Sequence, residues 1–156
     1  MNENVVFFLK FKKDLQFFYD TLPLTEALEL MKEHGFTAVP VIGAAGEYKG
    51  TVNEGDFLWY ILKNGMEKTT LENAAVKDII RSNYMPAVNI NVSMEQLLET
   101  SLHQNFVPVV DDRSIFIGIV TRQALLKYYG KPKYKVSVAP SLKDSQTKRI
   151  QISLQR

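Results

Sequence analysis

The sequence predicts an α/β (α+β) fold built from two pseudo-symmetric β-α-β-β-α repeats. Two observations carry this: an internal repeat that aligns the halves of the chain, and apolar spacing that switches between helical and strand-like periods within each half. Leu22 to Gly35 leads into Phe36-Thr37-Ala38-Val39-Pro40-Val41-Ile42, and Val92 to Asn105 leads into Phe106-Val107-Pro108-Val109-Val110, with a two-residue deletion after Asn105. Downstream, Pro40-Val41 precedes Gly50 by the same interval as Pro108-Val109 precedes Gly118, and Asp56-Phe57-Leu58 is answered by Ala124-Leu125-Leu126.

Each unit opens with a strand, around Leu15 to Tyr19 and Ala87 to Val92. An amphipathic helix follows, with Ala27, Leu28, Leu30 and Met31 at helical spacing, Thr25 as N-cap and Gly35 as stop. In the second unit Leu97, Leu98, Ser101 and Leu102 repeat that pattern. Ala38 to Ile42 and Phe106 to Val110 are short apolar strands, bounded by the turn residues Gly43-Ala44-Ala45-Gly46 and Asp111-Asp112-Arg113. A second strand runs through Gly50 or Gly118 to complete a hairpin. Asp56 to Lys63 and Arg122 to Tyr129 then read as closing helices.

These elements divide the chain into repeat 1 (1–65), a helical connection (66–86), repeat 2 (87–130) and a basic tail (131–156) expected to be disordered or loosely attached. The connection lacks the Gly and Ser of a flexible linker, so the halves are expected to pack on each other.

Composition narrows the chemistry. At 156 residues with 46% hydrophobic and 23% charged residues, the chain holds an ordinary globular core without needing staples. It has no cysteine, which removes thiolate nucleophiles, thiolate zinc sites and iron–sulfur ligation, and neither His34 nor His103 has a metal-ligand neighbour at suitable spacing. The apolar stretches fall well short of the ~20 residues of a membrane span, and no secretory signal pattern is present, so a cytoplasmic protein is expected. The tail carries seven Lys/Arg against one Asp, while the body, with 12 basic and 16 acidic residues, is net −4. An acidic body argues against nucleic-acid binding by the main domain.

The two tandem patterns resemble the CBS (cystathionine-β-synthase-type) domain pair, also called a Bateman module. The first is Gly35 to Ile42 with Gly50-Thr51-Val52-Asn53-Glu54-Gly55-Asp56; the second is Asn105 to Asp111 with Gly118-Ile119-Val120-Thr121-Arg122-Gln123-Ala124. The resemblance implies two CBS repeats packed through their sheets, leaving clefts that commonly take adenine nucleotides. By that likeness the base lies along Thr37, Ala38, Val39 and Pro40 in one repeat and Phe106, Val107 and Pro108 in the other. An Asp at the start of the closing helix holds the ribose, and a Thr or Ser three residues earlier meets phosphate. The chain departs from the pattern twice: Asn53 replaces the hydroxyl residue before Asp56, and Ala124 replaces the acid after Thr121. Arg122 is placed to face a phosphate.

Read from the residues alone, each of these positions has a second role. Asp56 and Thr121 are equally suited to cap their helices, and Arg122 to be a surface charge. Lys12-Lys13-Asp14 and Asn83-Tyr84-Met85-Pro86, leading into the two units, are either cleft-lining or ordinary turn and packing residues. Gly43 to Gly46 lacks the Lys and Ser/Thr of a P-loop, and no nucleophile, base and orienting group assemble into an enzyme.

The expectation is a non-catalytic sensor that binds AMP, ADP, ATP or cyclic di-AMP between its repeats and signals to a partner protein. A homodimer is expected through aromatics in the leading segment and closing helices, among them Phe7, Trp59 and Tyr129. The alternatives are a ligand-free homodimeric interaction protein and, more weakly, nucleic-acid binding through the tail.

Overall fold

The computed structural model describes residues 3–131. It contains β1 (Lys10–Phe11), β2 (Phe18–Tyr19), β3 (Ala38–Ile42), β4 (Tyr48–Asn53), β5 (Val88–Asn89), β6 (Phe106–Val110) and β7 (Phe116–Thr121). The helices are α1 (Val5–Phe8), α2 (Leu24–His34), α3 (Glu54–Asn64), α4 (Lys68–Glu72), α5 (Met94–His103) and α6 (Arg122–Tyr129). The expected β-α-β-β-α order is present twice, as β2-α2-β3-β4-α3 and β5-α5-β6-β7-α6. The opening strands are two residues each, shorter than their sequence patterns, because only Phe18-Tyr19 and Val88-Asn89 keep register with β3 and β6. The tail expectation for 132–156 lies outside the described residues.

The sheets are ordered β2-β3-β4 and β1-β7-β6-β5. Equivalent hairpins keep equivalent registers, Val41 opposite Gly50 and Val109 opposite Gly118. The two hairpin turns pair with each other: Glu47 bridges Ile115, Tyr48 N–H donates to the Ser114 carbonyl and Phe116 N–H to that of Gly46. Behind this junction Ile42, Phe116 and Ile119 form a small core with Leu15, Phe17, Tyr48 and Phe106. The repeats therefore share apolar surface through their sheets.

They also exchange their leading segments. Val5, Phe8 and Leu9 pack with Leu97, Val107, Val109, Val120 and Leu125 of the second repeat, and β1 pairs antiparallel with β7. Ala74, Val76 and Ile79, with Leu71 and Ile80, pack with Leu24, Met31, Val39 and Phe57 of the first. Neither repeat closes its core without residues that lie outside its five-element unit.

This exchange explains a departure from the sequence reading. Thr25 does not cap α2; it lies inside the helix, and the N-cap position is Pro23, which has no side-chain acceptor. The first helical N–H, that of Leu24, instead donates to the carbonyl of Ala74 in the exchanged connection, 2.9 Å away. A tertiary backbone acceptor does what a side-chain cap does elsewhere. Gly35 stops the helix as expected, at φ 65°, a left-handed conformation that glycine adopts without Cβ strain. Leu102, grouped by spacing with the apolar face of α5, is 73% exposed, while Leu97 and Ser101 are buried.

Candidate functional site

Two clefts flank the junction, one beside each leading segment. The first, about 450 Å³, is lined by Lys10, Lys13, Asp14, Leu15 and Gln16, by Phe36, Ala38, Val39 and Pro40, and by Phe106 and Ile119 of the second repeat. Its volume falls in the range of small-molecule sites, and it combines an apolar floor with two cations, a carboxylate and an amide. Among the described residues, the side chains of Lys10, Lys13, Asp14 and Gln16 make no hydrogen bond or ion pair with the protein, so their polar groups are available.

The second cleft, about 310 Å³, is lined by Gly35 to Ala38, Tyr84, Met85 and His103 to Phe106. Here the leading segment is fastened down. Asn53 caps α3 in a reciprocal capping box: Asp56 N–H donates to Asn53 Oδ1 at 3.1 Å, and Asn53 N–H to Asp56 Oδ2 at 2.8 Å. The other carboxylate oxygen of Asp56 accepts from Arg81 Nε at 2.6 Å. Arg81 lies flat on Tyr84, its guanidinium carbon 3.5 Å from the ring centroid, and Tyr84 Oη accepts from Asn53 Nδ2 at 2.9 Å. Tyr48 Oη adds a third tie, donating to the Met85 carbonyl at 2.7 Å beside Thr51 Oγ1. Burial pushes the Tyr48 hydroxyl up to about 12.

Of the residues singled out by sequence, Ala38, Val39, Pro40 and Phe106 line the first cleft, and Thr37, Ala38 and Phe106 the second. Val107 and Pro108 are buried in β6. Asn53 and Asp56 line neither: Asn53 is held by Tyr84, and Asp56 lines a separate pocket with Trp59, Tyr60, Lys63 and Arg81. Thr121 caps α6, accepting from Ala124 N–H at 3.1 Å. Arg122, expected to face a phosphate, is turned onto the end of α5. Its Nε donates to the carbonyls of Ser101 at 2.7 Å and Gln104 at 3.1 Å. Unpaired carbonyls and the negative end of the helix dipole outcompete an open cleft for this cation.

Sequence reasoning missed Lys10, Gln16 and Arg81. Lys10 carries the weak signal of leading the Lys12-Lys13 run. Arg81 carries none, because its pseudo-symmetric counterpart is Phe11, counting back from the equivalent pairings of Phe18 and Val88. No described group of His, Cys, Asp or Glu is placed to hold a metal ion, and no described helix is long and apolar enough to cross a membrane.

Duplicated β-α-β-β-α units whose sheets meet across a pseudo-twofold axis, with a cleft on either side, define a tandem Bateman-type module. The chain belongs to the CBS domain family, which matches residues 9–63 and 76–131. Among solved structures it is similar to CbpB in complex with cyclic di-AMP, with TM-score 0.78, 23% identity and coverage of 83% of this chain and 85% of that one. It is also similar to a CBS domain protein from Streptococcus pneumoniae (0.75, 25% identity, 80% and 85% covered). A third is CBSX2 in complex with AMP (0.65, 24%, 80% and 94%). Comparison with curated proteins gave no match.

Proposed function

We propose that this chain is a non-catalytic, cytoplasmic regulatory module that binds an adenine nucleotide in the first cleft and conveys the bound state to a partner protein. The observation that carries the reading is the first cleft itself: an apolar floor of Pro40, Phe106 and Ile119 for a base, with the unengaged Lys10 and Lys13 for phosphate. That CbpB and CBSX2, which share the fold, bind cyclic di-AMP and AMP supports the ligand class. AMP, ADP, ATP and cyclic di-AMP are the candidates.

Signalling requires that the nucleotide bind one arrangement of the repeats more tightly than another. The first cleft suits this because its walls come from both repeats and from the exchanged N-terminal segment. A homodimer is proposed through the exposed apolar residues of the closing helices, Leu58, Trp59 and Leu62 on α3 and Leu126 and Tyr129 on α6. The test is thermal unfolding with each nucleotide and with S-adenosylmethionine, repeated on Lys10→Ala/Lys13→Ala. A selective rise in Tm that the double variant loses supports the proposal. A dimeric protein whose Tm responds to none of them would instead favour the ligand-free interaction protein, to which the same exposed residues lend themselves.

A further inference from the structure

We propose that the groove between α5 and β5 of the second repeat is a binding site for a primary ammonium group carried on an apolar stem. The nucleotide reading makes no use of this groove. It holds about 560 Å³, within the range of small-molecule sites. Its presence traces to an asymmetry between the repeats. Val88 is equivalent to Phe18 in strand register, so Val92 and Thr100 correspond to Leu22 and Leu30. In the first repeat those two leucines pack against the core together with Leu71 of α4. Among the described residues α4 has no counterpart ahead of α1, and Thr100 puts a hydroxyl where the first repeat has a leucine. This flank of α5 therefore stays open.

The walls select a hydrogen-bond donor. Pro86, Val88 and Val92 supply apolar surface, and Gln96, Glu99, Thr100 and His103 recur at helical spacing along one face of α5. Most donors here are already spent. Asn89 Nδ2 donates to Asp112, Thr100 Oγ1 to the Gln96 carbonyl at 2.8 Å, and Gln104 Nε2 to the carbonyls of Pro86 and Phe106 at 3.4 and 3.3 Å. Gln96 and His103 each keep an N–H, and what remains is chiefly acceptor. Gln104, which stands between the groove and the second cleft, is only 6% exposed, yet its Oε1 has no partner among the described residues and reaches solvent. The Glu99 carboxylate enters no ion pair among the described residues, and no Lys or Arg lines the groove. An anion would face Glu99 and find few donors. An ammonium brings three rotatable donors that serve acceptors on different residues, where a guanidinium fork suits one planar edge, and its methylene stem has the valines to lie against.

NMR titration of the full, isotope-labelled chain tests this, with n-pentylamine and Nα-acetyl-lysine methylamide as probes and Nα-acetyl-norleucine methylamide as the isostere without a charge. Saturable shifts in the millimolar range are expected at Val88, Val92, Glu99, His103 and the Gln104 side-chain amide from an ammonium probe, and none from the norleucine compound. Saturation by pentylamine but not by the lysine derivative points to a free amine as the occupant; saturation by the lysine derivative points to a lysine side chain of a protein. Glu99 is exposed and bonded to no described side chain, so Glu99→Gln keeps the fold. It is expected to weaken the ammonium probes about tenfold, through loss of a charge-assisted hydrogen bond. No saturable shift from either ammonium probe, equal binding of the norleucine compound, or unchanged affinity in Glu99→Gln would each overturn the proposal.

Discussion

The Arg81–Asp56 pair makes a quantitative prediction through a double-mutant cycle of Asp56→Ala and Arg81→Ala. Two unit charges about 4 Å apart attract by about 4 kcal/mol at the effective dielectric of a protein surface. Desolvation of the carboxylate, 2% exposed, offsets part of that, while the guanidinium, 47% exposed, keeps much of its hydration. The coupling should therefore lie near 2 kcal/mol, above the 0–1 of an exposed pair. Asp56→Ala alone also strands the Asn53 N–H of the capping box, about 1 kcal/mol more. The expected losses are about 3 kcal/mol for Asp56→Ala, about 2 for Arg81→Ala and about 3 for the double variant. For a chain of this size Asp56→Ala then lowers Tm by roughly 6–12 °C. Urea unfolding followed by circular dichroism measures all four corners. A coupling below about 0.5 kcal/mol would mean that the pair is solvated and adds nothing to the fold.

Three further outcomes follow from the structure. Gly118→Ala puts a Cβ into the Lys10 carbonyl and against the Phe11 backbone, so β1 must part from β7. A loss of about 1–3 kcal/mol and weaker nucleotide binding are expected, and an unchanged Tm would contradict the exchanged N-terminal segment. Tyr48 stays protonated in the fold above the 10.0 of an unburied phenol, so its contribution is complete below pH 10 and is lost as pH rises through about 12. Across that window wild type should lose about 2 kcal/mol relative to Tyr48→Phe, and parallel stability curves would remove the tyrosine from the account. Arg122→Ala should cost about 1–2 kcal/mol by uncapping α5 and leave nucleotide affinity within twofold. A tenfold loss of affinity at unchanged stability would return Arg122 to phosphate binding.

The repeat architecture was legible because it is written in local spacing. Apolar period, turn residues and the matched Pro-Val to Gly intervals each concern residues within a few positions of one another, and the hairpins they predict form in equivalent registers. The capping role of Thr121 was legible for the same reason, since its contact lies within three residues, whereas α3 starts two residues before Asp56, with Asn53 as its cap and Asp56 as the reciprocal partner at the third helical position. Where a local signal was read alone it failed: Thr25 has a cap's composition, but the Ala74 carbonyl, 50 positions from Leu24, meets the helix first.

Local spacing specifies two β-α-β-β-α units, their likeness to one another, and the positions near the start of each closing helix. Which unit each leading segment completes, and what the charged groups do, depend on how those units pack. Lys10 reaches the first cleft because β1 pairs with β7, more than a hundred residues away. Arg81 meets Asp56 because the connection folds back under the first repeat. Arg122 caps α5 because the exposed carbonyls of that helix end beside it. Each is a choice among partners brought together by packing, and a charge settles where desolvation and unpaired hydrogen-bonding groups make its presence most favourable. That depends on the assembled surroundings, which local sequence spacing does not encode.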